Sequence, residues 1–219
     1  MFDRIAPRYD RLNTLFSLDR DRAWRKRAAA AARLEPGQTA VDLCTGTGKL
    51  AHELLPRVQP GGQVIGVDFS LAMLEVARAR EPAVRFLQGD VAALPLPDAV
   101  AHAVTIAFGY RNLVDRAAGL REMHRILKPG GRVVILEFTP PRSGRLLAAY
   151  RLYLERVMPA VAGSLRRSDG EAYRYLAESV QAFPASAQVS AQLEAAGFSR
   201  VESHPLTFGI AGVHAAIRP

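Results

Sequence analysis

Between residues 39 and 138 one pattern repeats: a short, almost uninterrupted apolar run, a turn, then a helical stretch. The runs are "TAVDL" (39–43), "QVIGVD" (63–68), "VRFLQGD" (84–90), "HAVTIAFG" (102–109) and "VVILEF" (133–138). A strand that is apolar on both faces has to be covered on both, and strands alternating with helices form a parallel sheet. The helices are marked by their starts. Leu50–Val58 opens behind a glycine turn, Ser70 is placed to cap "LAMLEVARAR", and Asp115 to cap a helix running through Leu127. "QPGG", "AALPLPDA" and "KPGGR" break the chain between elements.

On either side the pattern changes. Residues 2–16 and 20–34 read as two helices, the first carrying Phe2, Ile5, Tyr9, Leu12 and Phe16 on one stripe that Pro7 interrupts. Beyond 138, residues 144–162, 169–182 and 186–196 read as helices, and "GFSRVESHPL" and "GIAGVHAAI" as two closing strands. No repeat, low-complexity tract or linker divides the 219 residues. The expectation is one domain, with a helical lid at 1–34 and a helical segment at 142–182 laid over the sheet's carboxyl edge.

The formal net charge is +8, and residues 1–33 hold nine Arg and Lys against four Asp. A basic end of this kind suits nucleic acid, anionic lipid or an acidic substrate; a solvated helix face accounts for it equally well. The single cysteine, Cys44, excludes an internal disulfide. The five histidines show no metal-ligand spacing, so no metal is expected. The chain opens on a charged amphipathic stretch, and its longest apolar run, around Ala99–Phe108, is far short of a membrane span. A cytoplasmic protein is expected, with membrane contact limited to the periphery of the inner face.

The first apolar run leads into Gly46-Thr47-Gly48-Lys49-Leu50-Ala51, which fits a dinucleotide fingerprint with alanine in its third position. A P-loop does not fit, because the spacing before Gly48-Lys49 is wrong and Leu50 is neither Ser nor Thr. A nicotinamide or flavin stays open, since Asp68 follows as the later acid. A tight strand-to-helix turn without a ligand also fits.

Asp42, Asp68 and Asp90 discriminate better. They fall at or near the ends of the first three runs, and in a parallel sheet those ends share the edge where ligands bind. Three carboxylates there oppose a pyrophosphate. They suit a ligand with a cation, ribose hydroxyls and an adenine amine, and S-adenosylmethionine has all three. Asp68 would accept from the ribose, Asp90 from the adenine amine, and Asp42 with the Gly46–Gly48 backbone would position the methionine part. Taken singly, each acid serves equally as a helix cap or turn residue.

The order of "MFDRIAPRYDRLN", "SLDRDRAWRK", "DLCTGTGKLA", "FGYRNLVDR", "LREMHRILKPGGRVVILEF" and "YRYLAESVQAFP" resembles class I S-adenosylmethionine-dependent methyltransferases, and more narrowly the UbiE/MenG group. "LKPGG" is general to methyltransferases; "FGYRN" and "YRYLAES" are more specific. Members of that group methylate a ring carbon of a polyprenyl quinol in menaquinone and ubiquinone synthesis. The resemblance implies an α/β, Rossmann-like, seven-stranded and mostly parallel sheet with helices on both faces and the final strand antiparallel. It implies S-adenosylmethionine as cofactor, S-adenosylhomocysteine as product, and demethylmenaquinol or a benzoquinol as acceptor. Cofactor contacts carry over onto Thr47, Asp68, Asp90 and Val91, with Asp42, Thr45, Gly46, Gly48, Phe69, Met73 and Gly89 completing the site. Two positions depart from the pattern: Cys44 stands where the wider superfamily has its first glycine, and Ala107 where a serine is sometimes found.

Carbon methylation needs an electron-rich ring carbon in line with the sulfonium methyl, a proton acceptor for the phenol, and donors for the phenolate. Arg111 and Asn112 follow the fourth run. Arg111 stays protonated, so it is assigned to phenolate stabilisation or to orienting a water, and Asn112 to the quinol oxygen. Tying the loop together would also explain both. Tyr9 is assigned to orienting the quinol and Asp10 to accepting its proton; a core tyrosine and a surface acid fit as well. Tyr173 and Tyr175 could wall the substrate cavity, and the apolar side of 145–161 could border a prenyl channel and touch anionic lipid.

Other readings are a methyltransferase acting on another phenol or on RNA, a nicotinamide oxidoreductase, and a silent nucleoside-binding scaffold. RNA is disfavoured because no aromatic platform for a flipped base is visible. Subunit number is open, a homodimer included.

Overall fold

The computed structural model describes Thr14, Ser17, residues 19–139, Gly144, Ala148, Leu152, Arg156, Ser179, Val180 and residues 182–219. The expected helix at 2–16, with Tyr9 and Asp10, and most of 142–182, with Tyr173 and Tyr175, lie outside the described residues.

The apolar runs form strands β1 (Thr39–Leu43), β2 (Gln63–Asp68), β3 (Arg85–Gln88), β4 (Ala101–Ala107) and β5 (Leu127–Phe138), and the closing pair β6 (Ser199–Leu206) and β7 (Ala211–Ile217). They hydrogen-bond into one seven-stranded sheet in the order β3-β2-β1-β4-β5-β7-β6. The first five strands pair parallel, and β7 runs antiparallel to both β5 and β6. The expected seven strands and antiparallel last strand are therefore present. After β3 the chain crosses β1 and β2 to start β4 on the far side of β1. That reversal opens a crevice at the carboxyl ends of β1 and β4, the place where open α/β sheets take ligands.

Helices α1 (Arg20–Ala31), α2 (Lys49–Val58), α3 (Leu71–Arg80), α4 (Arg116–Ile126) and α5 (Ser186–Ala195) cover the sheet. Adjacent residues of β5 serve opposite faces. Val134 and Leu136 join Trp24, Leu54 and Leu74, while Val133 and Ile135 join Met123, Leu193 and Phe198. The predicted caps are present: Ser70 Oγ accepts from the Met73 N–H, and the Asp115 carboxylate accepts from the Ala118 N–H.

One boundary differs. β5 begins at Leu127, six residues before its expected start, and takes in the "KPGG" read as a turn. Leu127 pairs with Ala101 and Arg132 with Ala103, so the residues between them bulge out of the ladder without ending it.

Candidate functional site

At the crevice, β1 turns sharply into α2. Gly48, the residue before α2, has φ +79, and a Cβ there would meet Ala77 and Phe86 at 3.3 Å. Both facts call for glycine. The turn is held from two sides. Arg80 donates to the Thr47 carbonyl at 2.7 Å and to its hydroxyl at 3.0 Å. The Gly46 N–H donates to Asp68 Oδ2 at 2.8 Å, and Asp68 Oδ1 accepts from the Ser70 N–H at 3.0 Å.

A cavity of about 570 Å³ opens beside this turn. Of the residues expected there, Gly46, Asp68, Phe69, Met73, Gly89, Asp90, Val91 and Asn112 line it. Sequence reasoning missed Phe108, Gly109, Leu113, Val114 and Asp115, which come from the segment that follows β4. "FGYRN" contains Phe108 and Gly109, but sequence reasoning gives roles only to its Arg111 and Asn112. Gly109 has a sharp reason to be glycine: a Cβ there would sit 2.4 Å from Cys44 Cβ. Burial pushes the Cys44 thiol well above its ordinary pKa, with Asp68 and other carboxylates adding to it, so it stays protonated.

Six expected site residues lie elsewhere. Asp42 is buried beneath the turn, accepting from Thr45 Oγ1 at 2.6 Å and Thr105 Oγ1 at 2.7 Å, and borders a small adjoining cavity and not the large one. In the parallel register Asp42 stands opposite Thr105, whose hydroxyl captures it. Burial raises its pKa to about 6. Asp115 takes its place, so three carboxylates do line the cavity, but they are Asp68, Asp90 and Asp115. Asp42, Thr45, Thr47 and Ala107 line this second cavity of about 20 Å³, which shares only Cys44 and Gly46 with the first. Arg25 and Lys49 also border it, each paired with Asp21. Gly48 shapes the turn and lines neither cavity.

Arg111 lies behind the cavity wall. Its Nη1 donates to Glu137 Oε1 at 2.6 Å and to the Phe108 carbonyl at 2.6 Å, and its Nε donates to Ser179 Oγ at 3.3 Å. The side chain is 5% exposed and does not line the cavity. Its charge is spent on Glu137, which sequence reasoning passed over although an acid inside "VVILEF" is itself a signal. Glu137 Oε2 also accepts the Arg111 backbone N–H at 3.1 Å. The pair therefore fixes the turn Tyr110–Asn112 that carries Asn112 to the cavity wall. Among the described residues no group of three or more His, Cys, Asp or Glu is placed to hold a metal ion. None of their helices is long and apolar enough to cross a membrane.

Residues 1–218 match the family model described as the ubiE/COQ5 methyltransferase family. The chain belongs to that family. A demethylmenaquinone methyltransferase of Thermus thermophilus is 49% identical over 223 residues, covering 100% of both chains. One from Deinococcus radiodurans is 48% identical over 97% of this chain and 89% of its own. The same fold recurs in a chain from the complex of the Haloferax volcanii Trm112 methyltransferase activator with a methyltransferase (TM-score 0.73, 21% identity, 100% and 98% covered). It recurs in an S-adenosylmethionine-dependent methyltransferase from Aquifex aeolicus (TM-score 0.68, 18% identity, 96% and 98% covered). This member of the ubiE/COQ5 family is thus an S-adenosylmethionine-dependent methyltransferase by family.

The cavity fits that cofactor better than a dinucleotide. A diphosphate needs loop N–H groups that point at it without a competing anion. Here the Gly46 N–H already serves the Asp68 carboxylate. Asp68 also lines the cavity, and its carboxylate is an acceptor of hydrogen bonds and not a donor. Apolar Phe69, Met73, Val91 and Leu113 complete a wall suited to a flat heterocycle.

Proposed function

We propose that this protein transfers the methyl group of S-adenosylmethionine to a ring carbon of a demethylmenaquinol. The observation that carries the reading is the cavity edged by Asp68, Asp90 and Asp115 beside a glycine turn bonded to Asp68. The relatives that are 49% and 48% identical, both demethylmenaquinone methyltransferases, suggest the acceptor.

The cofactor, when bound, supplies an electrophilic methyl on a sulfonium. This chain's residues do the rest. Asp68 accepts from ribose hydroxyls and Asp90 from the adenine edge. Arg25 and Lys49, bordering the small adjoining cavity, offer positive charge to an amino-acid carboxylate. Asn112 donates to a quinol oxygen, and the Arg111–Glu137 pair positions it. Arg111 is therefore a positioning residue and makes no contact with the ring. Tyr9 and Asp10 keep their proposed roles as quinol-orienting group and proton acceptor. Carboxylates around the cavity favour the sulfonium, and alignment of the two reactants supplies much of the acceleration.

Labelled methyl transfer tests the reading. Label should pass to reduced demethylmenaquinol and not to the oxidised quinone, because only the reduced ring is nucleophilic. A reduced benzoquinol offered in parallel reports ring preference. Equal labelling of the reduced and oxidised naphthoquinone rings contradicts the mechanism.

A further inference from the structure

Among the described residues the large apolar side chains left exposed are Phe69, Leu71, Val114, Leu152 and Phe208. Four of them share one edge of the sheet. Phe69 and Leu71 follow β2, Val114 follows β4 by seven residues, and Phe208 follows β6. β2, β4 and β6 all end at the carboxyl edge, because β6 pairs antiparallel with β7, itself antiparallel to β5. β2 and β6 are five places apart in the sheet order, which at about 4.8 Å per strand sets the outer prongs roughly 24 Å apart.

Phe208 is the least expected of them. It is 86% exposed with φ +57, at the tip of the β6–β7 hairpin beside Thr207 at φ +45. A bulky residue held in the left-handed region and fully in solvent forfeits conformational energy and burial together. Such an outlier points to a function served outside the folded core.

Positive charge borders the same edge. Trp24 Nε1 donates to Thr207 Oγ1 at 2.8 Å, which fixes the first turns of α1 against the hairpin tip. Arg20, Arg22, Lys26 and Arg27 are exposed along α1, with Asp19 the exposed acid next to them. Isolated apolar prongs beside a cationic helix match the headgroup boundary of an anionic bilayer, which takes in separate side chains and attracts Lys and Arg. A protein partner would want one contiguous apolar patch. The cavity opens at this edge too, lined by Phe69 and Val114.

We propose that the carboxyl edge of the sheet docks on an anionic membrane, Leu71, Val114 and Phe208 entering the headgroup boundary and the first turns of α1 facing lipid charge, while Phe69 stays with the cavity wall. The cavity mouth then faces the bilayer, so that a ring on a lipid tail reaches it without leaving the membrane. This rests on the quinol reading for its purpose but not for its evidence.

The test floats the full chain with vesicles of equimolar phosphatidylcholine and phosphatidylglycerol, and with phosphatidylcholine alone. The unmodified protein should float with the anionic vesicles and bind the neutral ones more weakly. The pair Leu71→Ser and Phe208→Ser, both outside the cavity lining, should weaken anionic-vesicle binding about tenfold. It should leave the melting curve and turnover of a short-tailed quinol unchanged. Arg22→Glu with Lys26→Glu should weaken binding to anionic vesicles alone. No flotation of the unmodified protein, or equal flotation of the serine pair, overturns the proposal. So does a fall in subunit number on the serine pair, seen by analytical ultracentrifugation, which would make this face a contact between copies. Flotation without transfer to any quinol would instead refute the acceptor and leave the docking face standing.

Discussion

Arg111 and Glu137 meet at 2.6 Å with side chains 5% and 0% exposed, so the cation of the "FGYRN" segment is neutralised inside the protein. Arg111 also lies over the Phe138 ring, 5.6 Å from its centroid. Arg111→Ala would strand the Glu137 carboxylate, and breaking a buried pair costs about 3–5 kcal/mol. Arg111→Ala is therefore expected to lower the melting temperature and turnover together. Asn112→Ala, on the cavity wall, should lower turnover with little change in melting. An Arg111→Ala protein that melts like the unmodified one yet has lost turnover would return the guanidinium to the substrate.

The Gly46–Asp68 bond makes one side chain both loop anchor and ligand acceptor. Asp68→Asn keeps the size but loses the charge and places an N–H₂ near the Gly46 N–H. S-adenosylhomocysteine affinity should fall by about tenfold or more, since a hydrogen bond to a charged group is worth about 1.5–3 kcal/mol. Isothermal titration reads this directly. NADH run in the same way should show no binding, and tight NADH binding would contradict the carboxylate-edged site.

How far the sequence reached follows from what each signal encodes. Apolar runs mark strands because the sheet is buried on both faces, and they located β1 to β4 within a few residues. "KPGG" misled at β5, because a bulge and a turn use the same residues. Asp42 was placed with Asp68 because both sit near strand ends. Cross-strand register, invisible in a single sequence, gave Asp42 to Thr105. Asp115 was legible only as a cap, and it is one, but its carboxylate also reaches the cavity. Glu137 carried a visible signal, an acid in an apolar strand, whose partner only the fold names. Nothing in "LTFGI" announced an exposed Phe208.

Cys44 and Gly109 form a packing pair that can be exchanged. Cys44 has φ +48, a conformation glycine holds without strain, and Gly109 lacks a side chain because Cys44 fills the space. Gly109→Ala alone should destabilise by about 1–3 kcal/mol through overpacking. Cys44→Gly should restore most of that loss in the double variant, because the Cβ contact at 2.4 Å and the Sγ contact at 3.0 Å both vanish. Denaturant midpoints of the four proteins measure the coupling. Simple additivity would mean that the backbone relaxes and the contact is not the cause.

Two buried groups make stability depend on acid in opposite directions. His214 is fully buried in β7 with neither ring nitrogen hydrogen-bonded, and burial lowers its pKa from 6.5 to about 4. Between those values the unfolded chain binds the proton and the folded one does not, so the neutral form's stability is lost as pH falls through that window. Asp42 works the other way. Burial, partly offset by the Thr45 and Thr105 hydroxyls, raises its pKa from 3.8 to about 6, and there the folded chain holds the extra proton. Stability from Asp42 is present below 3.8 and lost as pH rises through 6. Each contribution is on the order of 3 kcal/mol, and over the shared window they oppose. Asp42→Asn should make thermal stability fall more steeply on acidification, and His214→Leu should flatten or reverse that fall while removing two unpaired buried nitrogens. Melting curves across the window decide it, and parallel curves for all three proteins would show that neither group titrates inside the fold.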